Sequence, residues 1–327
     1  MRVAEIPRAG APDVFRLVER PDPAPRDGQV VIDVRAAGVN FADVMGRMGL
    51  YPDAPPFPFV CGYEVAGTLP DGRRVMAFTK FGGYASKVAT PERGVVPLPD
   101  GMSFEEGAAI PVVYSTAWVA LVAMARVAAG DRVLVEQAAG GVGIAAIQIA
   151  KHAGAEVFGV VSTDAKADFL RGLAVKPLVR DRDEWPRDLD VILDPTGANS
   201  LPRDLDHLAA AGRIVLFGAS ELVTGRKRSM LKAGWRYLKR PRIDPYALAN
   251  ANRGIFGLNM LHIAGAPGLM ERAMKDIMKG AAEGWIKPRV DRTFPLEKAA
   301  DAHAYMQDRK NVGKIVLTVE TPAPQRS

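Results

Sequence analysis

Hydrophobic and polar positions alternate in short runs along the first hundred residues. The stretch GQVVIDVRAAGV (28–39) has the two-residue period of a half-buried strand, and GRRVMAF (72–78) and GYASKVAT (83–90) predict further short strands. Proline and glycine cluster between residues 52 and 72, as is typical of turns. This pattern predicts a compact, mostly β domain at the start of the chain.

The pattern changes at about residue 113. DRVLVEQ (131–137) is an apolar run of strand length, and AAGGVG (138–143) follows it directly. IAAIQIAKHAG (144–154) then predicts a helix of small residues, and AEVFGVVS (155–162) predicts a second buried strand. A strand, a glycine turn, a helix and a strand within this distance form a βαβ unit.

The alternation continues towards the end of the chain. The predicted elements are helix 165–173, strand 189–194, helix 199–210, strand 212–218, strand 252–260, helices 268–284 and 297–307, and strand 313–319. Repeated βα units indicate an α/β protein with an open parallel sheet and helices on both faces. A chain of 327 residues also favours two domains over one core.

Composition adds few constraints. Hydrophobic residues make up 48% and charged residues 24%, as in ordinary globular proteins. A single cysteine cannot form an internal disulfide, so we expect a cytoplasmic protein, and the start of the chain lacks the apolar run of a signal peptide. The uncharged stretch 107–125 is long enough to span a bilayer, but it contains Pro111 and several small or polar residues, so we expect a buried helix.

Charge is concentrated in residues 226–242, RKRSMLKAGWRYLKRPR. This basic segment has a net charge of +8. The whole chain has a net charge of +6, so the remaining residues together carry −2. If the segment is helical, Leu231, Trp235 and Leu238 form an apolar stripe flanked by cations, the pattern of a helix that lies on an anionic membrane. A mobile excursion over the active site and a solvated surface helix are the alternatives. One short basic stretch is no nucleic-acid-binding module, so we expect no nucleic-acid partner.

The glycine turn AAGGVG lies between a strand and a helix, where a dinucleotide-binding fingerprint belongs. The three fingerprint positions are Ala138, Gly140 and Gly143, so alanine replaces the first glycine. Gly140 would admit a pyrophosphate close to the backbone, and Gly141 and Val142 would offer N–H groups to it. The alternative is a tight βα turn that binds no nucleotide.

The end of the second βαβ strand favours NADPH over NADH. An NAD site places an acid there to bind the ribose 2′-hydroxyl, but this position is Val161. Ser162 and Thr163 follow, and Lys166 is near, so hydroxyls and a cation suit a 2′-phosphate. We expect Asp164 to cap the next helix.

Potential metal ligands are few. VCGYEVAG (60–67) contains the only cysteine, Cys61, near Glu64, and the four histidines are far apart in sequence. A structural zinc ion usually needs four ligands, mostly cysteine, and a catalytic one needs about three. We therefore expect no metal.

Several stretches match one known family in chain order. They are AAGVNFADVMGRMGLYP (36–52), GYEVAG (62–67), AAGGVGIAAIQIAKHAGAEV (138–157), DVILDPTG (190–197) and GRIVLFG (212–218). They resemble the medium-chain dehydrogenase/reductase superfamily, specifically its zinc-independent quinone oxidoreductases. RIDPYALANANRGIFGLNM (242–260) is similar to the branch of the synaptic vesicle amine-transport protein homologues.

The resemblance implies a GroES-like, β-rich catalytic domain, formed by residues 1–112 and 256–327, and a Rossmann domain with a doubly wound parallel sheet at 113–255. In zinc-bearing members, histidine stands at the position of Tyr63 and cysteine at or near that of Asn40. Both ligands are replaced here. The resemblance also implies a homodimer.

The resemblance further implies the site residues. Asn40 would donate to a carbonyl oxygen or the cofactor, Asp43 would orient its neighbours with Arg47 as an ion-pair partner, and Tyr51 would act as a hydrogen-bond donor or proton source. Each also has a structural alternative, such as satisfying loop backbone. Met45 replaces a tyrosine often found in quinone reductases, which makes the pocket more apolar.

On the cofactor side, the resemblance implies contacts near the nicotinamide and its ribose. The residues are Thr116, Phe217, Gly218, Phe256, Gly257 and Leu258. The predicted activity is NADPH-dependent hydride transfer to a quinone or an α,β-unsaturated carbonyl. The alternative is a nucleotide-binding protein that associates with anionic membranes through the basic segment.

Overall fold

The computed structural model describes residues 1–223, 225–226, 229–263 and 266–320. Two units divide this chain. The first unit comprises 1–112, 225–226 and 288–320, and the second comprises the described residues between 113 and 287 apart from that short excursion.

The strands are β1 (Arg2–Ile6), β2 (Arg16–Glu19), β3 (Gln29–Val39), β4 (Phe59–Val60), β5 (Glu64–Thr68), β6 (Arg74–Phe78), β7 (Lys87–Pro91), β8 (Val95–Pro97), β9 (Arg132–Val135), β10 (Glu156–Val161), β11 (Lys176–Val179), β12 (Leu189–Asp194), β13 (Leu208–Leu216), β14 (Gly254–Gly257), β15 (Val290–Pro295) and β16 (Lys314–Thr318). The helices are α1 (Phe41–Arg47), α2 (Phe104–Gly107), α3 (Pro111–Trp118), α4 (Gly141–His152), α5 (Asp164–Gly172), α6 (Leu201–His207), α7 (Met230–Leu238), α8 (Pro245–Ala251), α9 (Met260–Ile263), α10 (Pro267–Ala282) and α11 (Ala299–Gln307).

The first unit is built on two sheets. Strands β2-β1-β4 form the smaller one, and β15-β16-β3-β5-β6-β8 form the larger one, with β7 also paired to β3. Inward-facing residues such as Ile32, Val65 and Ile315 are fully buried in one core. Gly67 brings β5 against β3, since a side chain there would collide with the Asp33 carbonyl. The predicted β-rich domain, completed by the C-terminal strand β16, is confirmed.

The second unit contains one sheet of six parallel strands in the order β11-β10-β9-β12-β13-β14. Numbered from β9, this is the 3-2-1-4-5-6 order of a dinucleotide-binding fold. The predicted doubly wound α/β architecture is confirmed. All carboxyl ends of these strands lie at one edge, where such folds bind ligands. β14 is the edge strand at one end of the sheet. The homodimer implied by the family resemblance stays a prediction.

The second domain boundary differs from the predicted 255/256 and lies at 287/288. β14 pairs in parallel with β13, with Ile255 opposite Ile214. α10 also packs within the second unit, because Trp118 Nε1 donates to Asp276 Oδ2 at 3.1 Å. Strand pairing and this hydrogen bond keep residues 256–287 with the parallel sheet.

The apolar stretch Phe104–Met124 is helical, and 78% of its most apolar window is buried within the protein. α2 and α3 form its first part, and a π-helical segment, Val119–Met124, continues α3. Pro111 begins α3, where a missing N–H costs nothing. The structure agrees with the predicted buried helix.

Candidate active site

The glycine turn of the second unit presents free helix N–H groups. Gln137 adopts a left-handed conformation (φ +51°), and Gly140 N donates to Gln137 O at 2.9 Å. α4 begins at Gly141, and Ile144 N donates to Gly140 O at 2.9 Å. The helix itself supplies no partner for the N–H groups of Gly141, Val142 and Gly143, so this end is suited to an anion such as a pyrophosphate.

Space in this turn matches the predicted roles of its glycines. A Cβ on Gly143 would lie 2.5 Å from Ala138 O, so only glycine lets α4 pack this close to the turn. A Cβ on Gly140 would approach only Gln137 O, at 3.3 Å, which leaves its other side open. Ala138 is fully buried and its N–H donates to Val160 O at 3.0 Å. Because the left-handed residue is Gln137, alanine fits at the first fingerprint position.

The end of β10 has hydroxyl groups and no acid at the NAD position. Val161 is buried and Ser162 is exposed. Thr163 caps α5, and its Oγ1 accepts from Lys166 N at 3.4 Å. The expectation that Asp164 caps this helix was wrong: Asp164 is the first helical residue and pairs with Arg182 Nη1 at 2.8 Å.

Arg182 is a cation that sequence reasoning missed. It follows β11, which lies beside β10 in the sheet, so its neutralising contact with Asp164 occurs at the strand-end edge. This ion pair reduces the repulsion that Asp164 would exert on a phosphate.

The other cofactor candidates are spread along the second unit. Phe217 N donates to Asp194 O at 3.0 Å, which places the end of β13 beside that of β12. Gly218 is exposed and packs on the Pro195 backbone so closely that a side chain would collide with it. Phe256 is 41% exposed at the edge strand β14, and Gly257 follows it. Leu258 is buried, and Thr116 is a buried residue of α3. Their contacts with a nicotinamide stay predictions.

A buried carboxylate cluster at the ends of β9 and β12 was not foreseen. Glu136, Asp194 and Asp204 bring ligand atoms within 4.8 Å of one another, the only such group in the described part of the chain. Arg180 and Arg203 pair with Glu136 at 2.8 and 2.5 Å. Burial, then Asp194 and Glu136, raises the pKa of Asp204 to about 8. The two arginines make this a structural ion-pair network.

In the first unit, Asn40 is part of a buried polar network. Its Nδ2 donates to Glu64 Oε1 at 2.9 Å, and its Oδ1 accepts from Lys314 Nζ at 2.6 Å. Lys314 Nζ also lies 2.5 Å from Glu64 Oε1, and Glu64 Oε2 accepts from Val112 N at 2.7 Å. Both polar ends of the amide thus have partners within the described part of the chain, which fixes its orientation. Sequence reasoning missed Lys314, whose one signal is a cation that opens an apolar strand.

Asp43 fixes two loops by accepting backbone N–H groups. Its Oδ2 accepts from Asn40 N and its Oδ1 from Gly62 N, both at 2.8 Å. Burial raises the pKa of Asp43 to about 7, although these two hydrogen bonds and Lys314 oppose the shift. The predicted orienting role of Asp43 agrees with these contacts.

The predicted ion pair between Arg47 and Asp43 was wrong. Arg47 is fully buried, and its Nη2 donates to Gln307 Oε1 at 2.7 Å. Its Nε and Nη1 have no hydrogen-bond partner among the described residues. Burial lowers the pKa of Arg47 to about 10. Asp43 instead satisfies backbone groups, so α1 places the two side chains in different environments.

Tyr63, at the position where the resemblance expects histidine in zinc-bearing members, packs against a second phenol, Tyr51. Tyr63 is 5% exposed, and the Tyr51 ring lies edge-on to it with centroids 6.3 Å apart. Burial raises the pKa of Tyr51 to about 12. Cys61 is buried, its Sγ contacts Asp43 O at 3.6 Å, and burial raises the pKa of its thiol. Neither Cys61 nor Glu64 belongs to a metal-ligand group within the described ranges.

Comparison with known proteins agrees with the division into a GroES-like unit and a dinucleotide-binding unit. The family model described as alcohol dehydrogenase GroES-like domain matches residues 26–100, and the one described as zinc-binding dehydrogenase matches 160–317. The synaptic vesicle membrane protein VAT-1 homolog of Rattus norvegicus is 33% identical over 338 residues, which cover 97% of this chain and 83% of that protein.

Solved structures agree. The crystal structure of the human VAT-1 homolog-like protein is 29% identical with a TM-score of 0.85 and covers 99% of both chains. The quinone oxidoreductase from Thermus thermophilus, solved also with NADPH, is 30% identical with a TM-score of 0.83 and covers 97% of this chain and 100% of its own.

A GroES-like unit joined to a Rossmann unit with a dinucleotide turn defines a class of two-domain oxidoreductases. This chain belongs to the medium-chain dehydrogenase/reductase superfamily and resembles its VAT-1 homologue branch and its quinone oxidoreductases. The predicted family and fold are confirmed.

Proposed function

We propose that this protein is an NADPH-dependent oxidoreductase that reduces a quinone or an α,β-unsaturated carbonyl without a metal ion. The observation that carries the proposal is the open glycine turn at Gly140, together with the buried Tyr63 at the position where the family resemblance expects histidine in zinc-bearing members. The similar quinone oxidoreductase from Thermus thermophilus, solved with NADPH, supports the cofactor and the reaction class.

The residues that would hold the dinucleotide lie along one edge of the parallel sheet. The N–H groups of Gly141 and Val142 would bind the pyrophosphate, and Ser162 and Lys166 would bind the 2′-phosphate. NADPH supplies a hydride when it is bound.

The first unit would supply hydrogen bonds to the substrate. With a pKa raised to about 12, Tyr51 remains protonated at neutral pH and can donate a hydrogen bond or a proton. Glu64 and Lys314 hold the Asn40 amide in one orientation, and Asp43 accepts hydrogen bonds from the backbone N–H groups of Asn40 and Gly62. The buried Met45 adds apolar surface, which favours an uncharged acceptor.

Acceptor-dependent oxidation of NADPH tests this proposal. We would incubate the protein with NADPH and a panel of 1,4-benzoquinone, 9,10-phenanthrenequinone, 2-hexenal and 2-cyclohexenone, with hexanal as the saturated control. We expect turnover with at least one quinone or enone and none with hexanal. Tight NADPH binding with no oxidation by any acceptor would contradict the proposed activity.

A second candidate function is association with anionic membranes, because α7 presents an apolar face to solvent. Leu231, Trp235 and Leu238 are 89%, 58% and 80% exposed, at helical spacing. Lys239 lies over the Trp235 ring at 3.8 Å, so cation and ring are side by side. An exposed apolar stripe with adjacent cations is the pattern of an interfacial helix.

Not every cation of the basic segment is free for lipid. Arg226 pairs with Asp308, and Arg236 donates to the Glu221 carbonyl. Lys227 and Arg228 lie outside the described residues, as does the side chain of Lys232. The apolar stripe therefore carries this candidate more than the charge count does.

Vesicle flotation separates the contribution of lipid charge to membrane binding from that of the apolar stripe. We expect binding to vesicles of phosphatidylcholine with phosphatidylserine, and weaker binding to phosphatidylcholine alone. The double substitution Leu231→Gln and Leu238→Gln should abolish it, whereas Leu17→Gln, at an exposed leucine of the first unit, should not. Equal binding to both vesicle types, or none to either, would remove this candidate.

A further inference from the structure

Tyr63 carries a buried hydroxyl group that has no hydrogen-bond partner among the described residues. Other phenols of the first unit are satisfied: Tyr84 Oη lies 3.2 Å from His303 Nε2, and Tyr305 Oη donates to Asp291 Oδ2 at 3.0 Å. Most buried polar side chains in proteins are hydrogen-bonded, so a single unpaired phenol needs a physical reason.

The backbone holds this phenol in a fixed position. Gly62 has a φ of +106°, and its N–H is bound by Asp43. On the other side, Thr79 N donates to Tyr63 O at 2.8 Å, and Thr79 Oγ1 donates to Gly62 O at 2.7 Å. Substituting Gly62 is not possible without a collision with Gly83. The turn at Gly62 therefore fixes the backbone position from which the Tyr63 side chain extends.

Neighbouring rings fix the side chain itself. The Phe81 ring lies 5.0 Å from that of Tyr63, and the Tyr51 ring packs edge-on at 6.3 Å. Tyr51 is only partly buried, so this aromatic pair reaches from the interior to a partly exposed position. A hydroxyl held by packing and by backbone hydrogen bonds is preorganised for an acceptor that arrives with a ligand.

Its surroundings also keep the hydroxyl protonated. Burial raises the pKa of Tyr63, and the negative charge of Asp43 raises it further. The group can therefore donate a hydrogen bond over the whole physiological pH range, and it is a poor source of a transferred proton.

We propose that the Tyr63 hydroxyl donates a hydrogen bond to the carbonyl oxygen of the acceptor, in the place where zinc-bearing relatives have a metal ligand. This inference rests on the proposed function. In an enone, hydride addition forms a C–H bond at the β-carbon, and the π electrons move to the carbonyl oxygen. The Tyr63 donor stabilises that oxygen, and the α-carbon then takes a proton from Tyr51 or solvent. In a quinone, the hydride from NADPH adds at one end of the conjugated dione and the electron pair moves to the far carbonyl oxygen. The same donor stabilises this hydroquinone anion until solvent protonates it.

The substitution Tyr63→Phe tests the inference, because it removes only the hydroxyl. Removal of one such donor costs on the order of 10²-fold in turnover. We therefore expect kcat to fall about 100-fold with the Kd for NADPH unchanged. The melting temperature should stay equal or rise, since the lost hydroxyl had no partner.

Tyr305→Phe is the matched control. It removes a phenol oxygen that is paired with Asp291, so it should lower the melting temperature and leave turnover unchanged. Equal turnover of wild type and Tyr63→Phe would overturn the inference while leaving the proposed function intact. If wild type reduces no acceptor, the proposed function fails and this inference fails with it.

The carbonyl stretch of 2-cyclohexenone bound to the protein with NADP⁺ gives a reading that does not depend on turnover. A hydrogen bond should lower this infrared frequency in wild type relative to Tyr63→Phe. If Tyr63→Phe does not fold, the test uses the wild-type complex alone. A carbonyl band at lower frequency than that of 2-cyclohexenone in cyclohexane supports the inference, and an unshifted band overturns it.

Discussion

Lys314 Nζ lies 2.5 Å from Glu64 Oε1, and both side chains are almost completely buried. Lys314 is the first residue of β16, near the end of the chain. Glu64 is the first residue of β5, which lies in the first quarter of the chain. Asn40 bridges the two through its amide. The ion pair and Asn40 together thus connect three segments of the first unit that are distant in sequence.

Removing one partner of this pair should destabilise the protein strongly. Lys314→Met leaves the Glu64 carboxylate buried without its cation, which costs about 3–5 kcal/mol in the free energy of unfolding. Urea titration measures the loss, and Lys298→Met at an exposed lysine is the control. A further change, Glu64→Gln in the Lys314→Met background, should recover part of the stability. A loss within about 0.5 kcal/mol for Lys314→Met would contradict a structural role for the pair.

Stability should depend on pH through Asp43. Its pKa is raised from 3.8 to about 7 in the folded protein, so between these values the native state holds a proton that the unfolded chain has lost. The contribution of Asp43 therefore favours folding at low pH and declines as pH rises from about 4 to 7, by up to roughly 4 kcal/mol. The difference in unfolding free energy between wild type and Asp43→Asn should follow this decline. If this difference in unfolding free energy does not change with pH, Asp43 does not cause a pH dependence of stability.

Two glycines of the dinucleotide turn should respond differently to alanine. Gly143→Ala places Cβ 2.5 Å from a backbone oxygen, so we expect a loss of about 1–3 kcal/mol in stability. Gly140→Ala meets only Gln137 O at 3.3 Å and should fold nearly as well, but its methyl group would occupy the cofactor's approach. Calorimetry should show NADPH affinity reduced at least about tenfold for Gly140→Ala, equivalent to about 1.4 kcal/mol. Unchanged affinity would place the pyrophosphate elsewhere.

The choice of cofactor should depend on Lys166. Loss of a charge-assisted hydrogen bond to the 2′-phosphate costs about 1.5–3 kcal/mol, so Lys166→Ala should weaken NADPH binding about 10- to 100-fold. NADH binding should be unaffected, because NADH lacks that phosphate. Lys151→Ala, at the opposite end of α4 from the glycine turn, is the control for removing a positive charge. Equal weakening of both cofactors would mean that Lys166 acts through the fold.

Local patterns were enough to predict most of the fold. The run from Asp131 to Ser162 gave a strand, a turn, a helix and a strand because buried parallel strands and tight turns have strong local signals. The boundary at 287/288 was not predictable in this way, because α10 joins the second unit through long-range contacts such as the hydrogen bond from Trp118. Helix α6 likewise ends early at His207, since residues 208–211 join β13.

The site was predicted only in part for the same reason. Asp43 lies in the same short motif as Asn40, so the hydrogen bond between them followed from the sequence. Lys314 and Gln307 reach α1 and its cap from the other end of the chain, and no local pattern shows that contact. Sequence order therefore suggested Asp43 as the partner of Arg47, whereas tertiary packing supplies Gln307.

Metal content and turnover, measured on one preparation, test the central claim most directly. We predict that purified protein contains no stoichiometric zinc and oxidises NADPH in the presence of a quinone or enone, at a rate unchanged by dialysis against a chelator. One zinc ion per chain whose removal abolishes turnover would contradict the account.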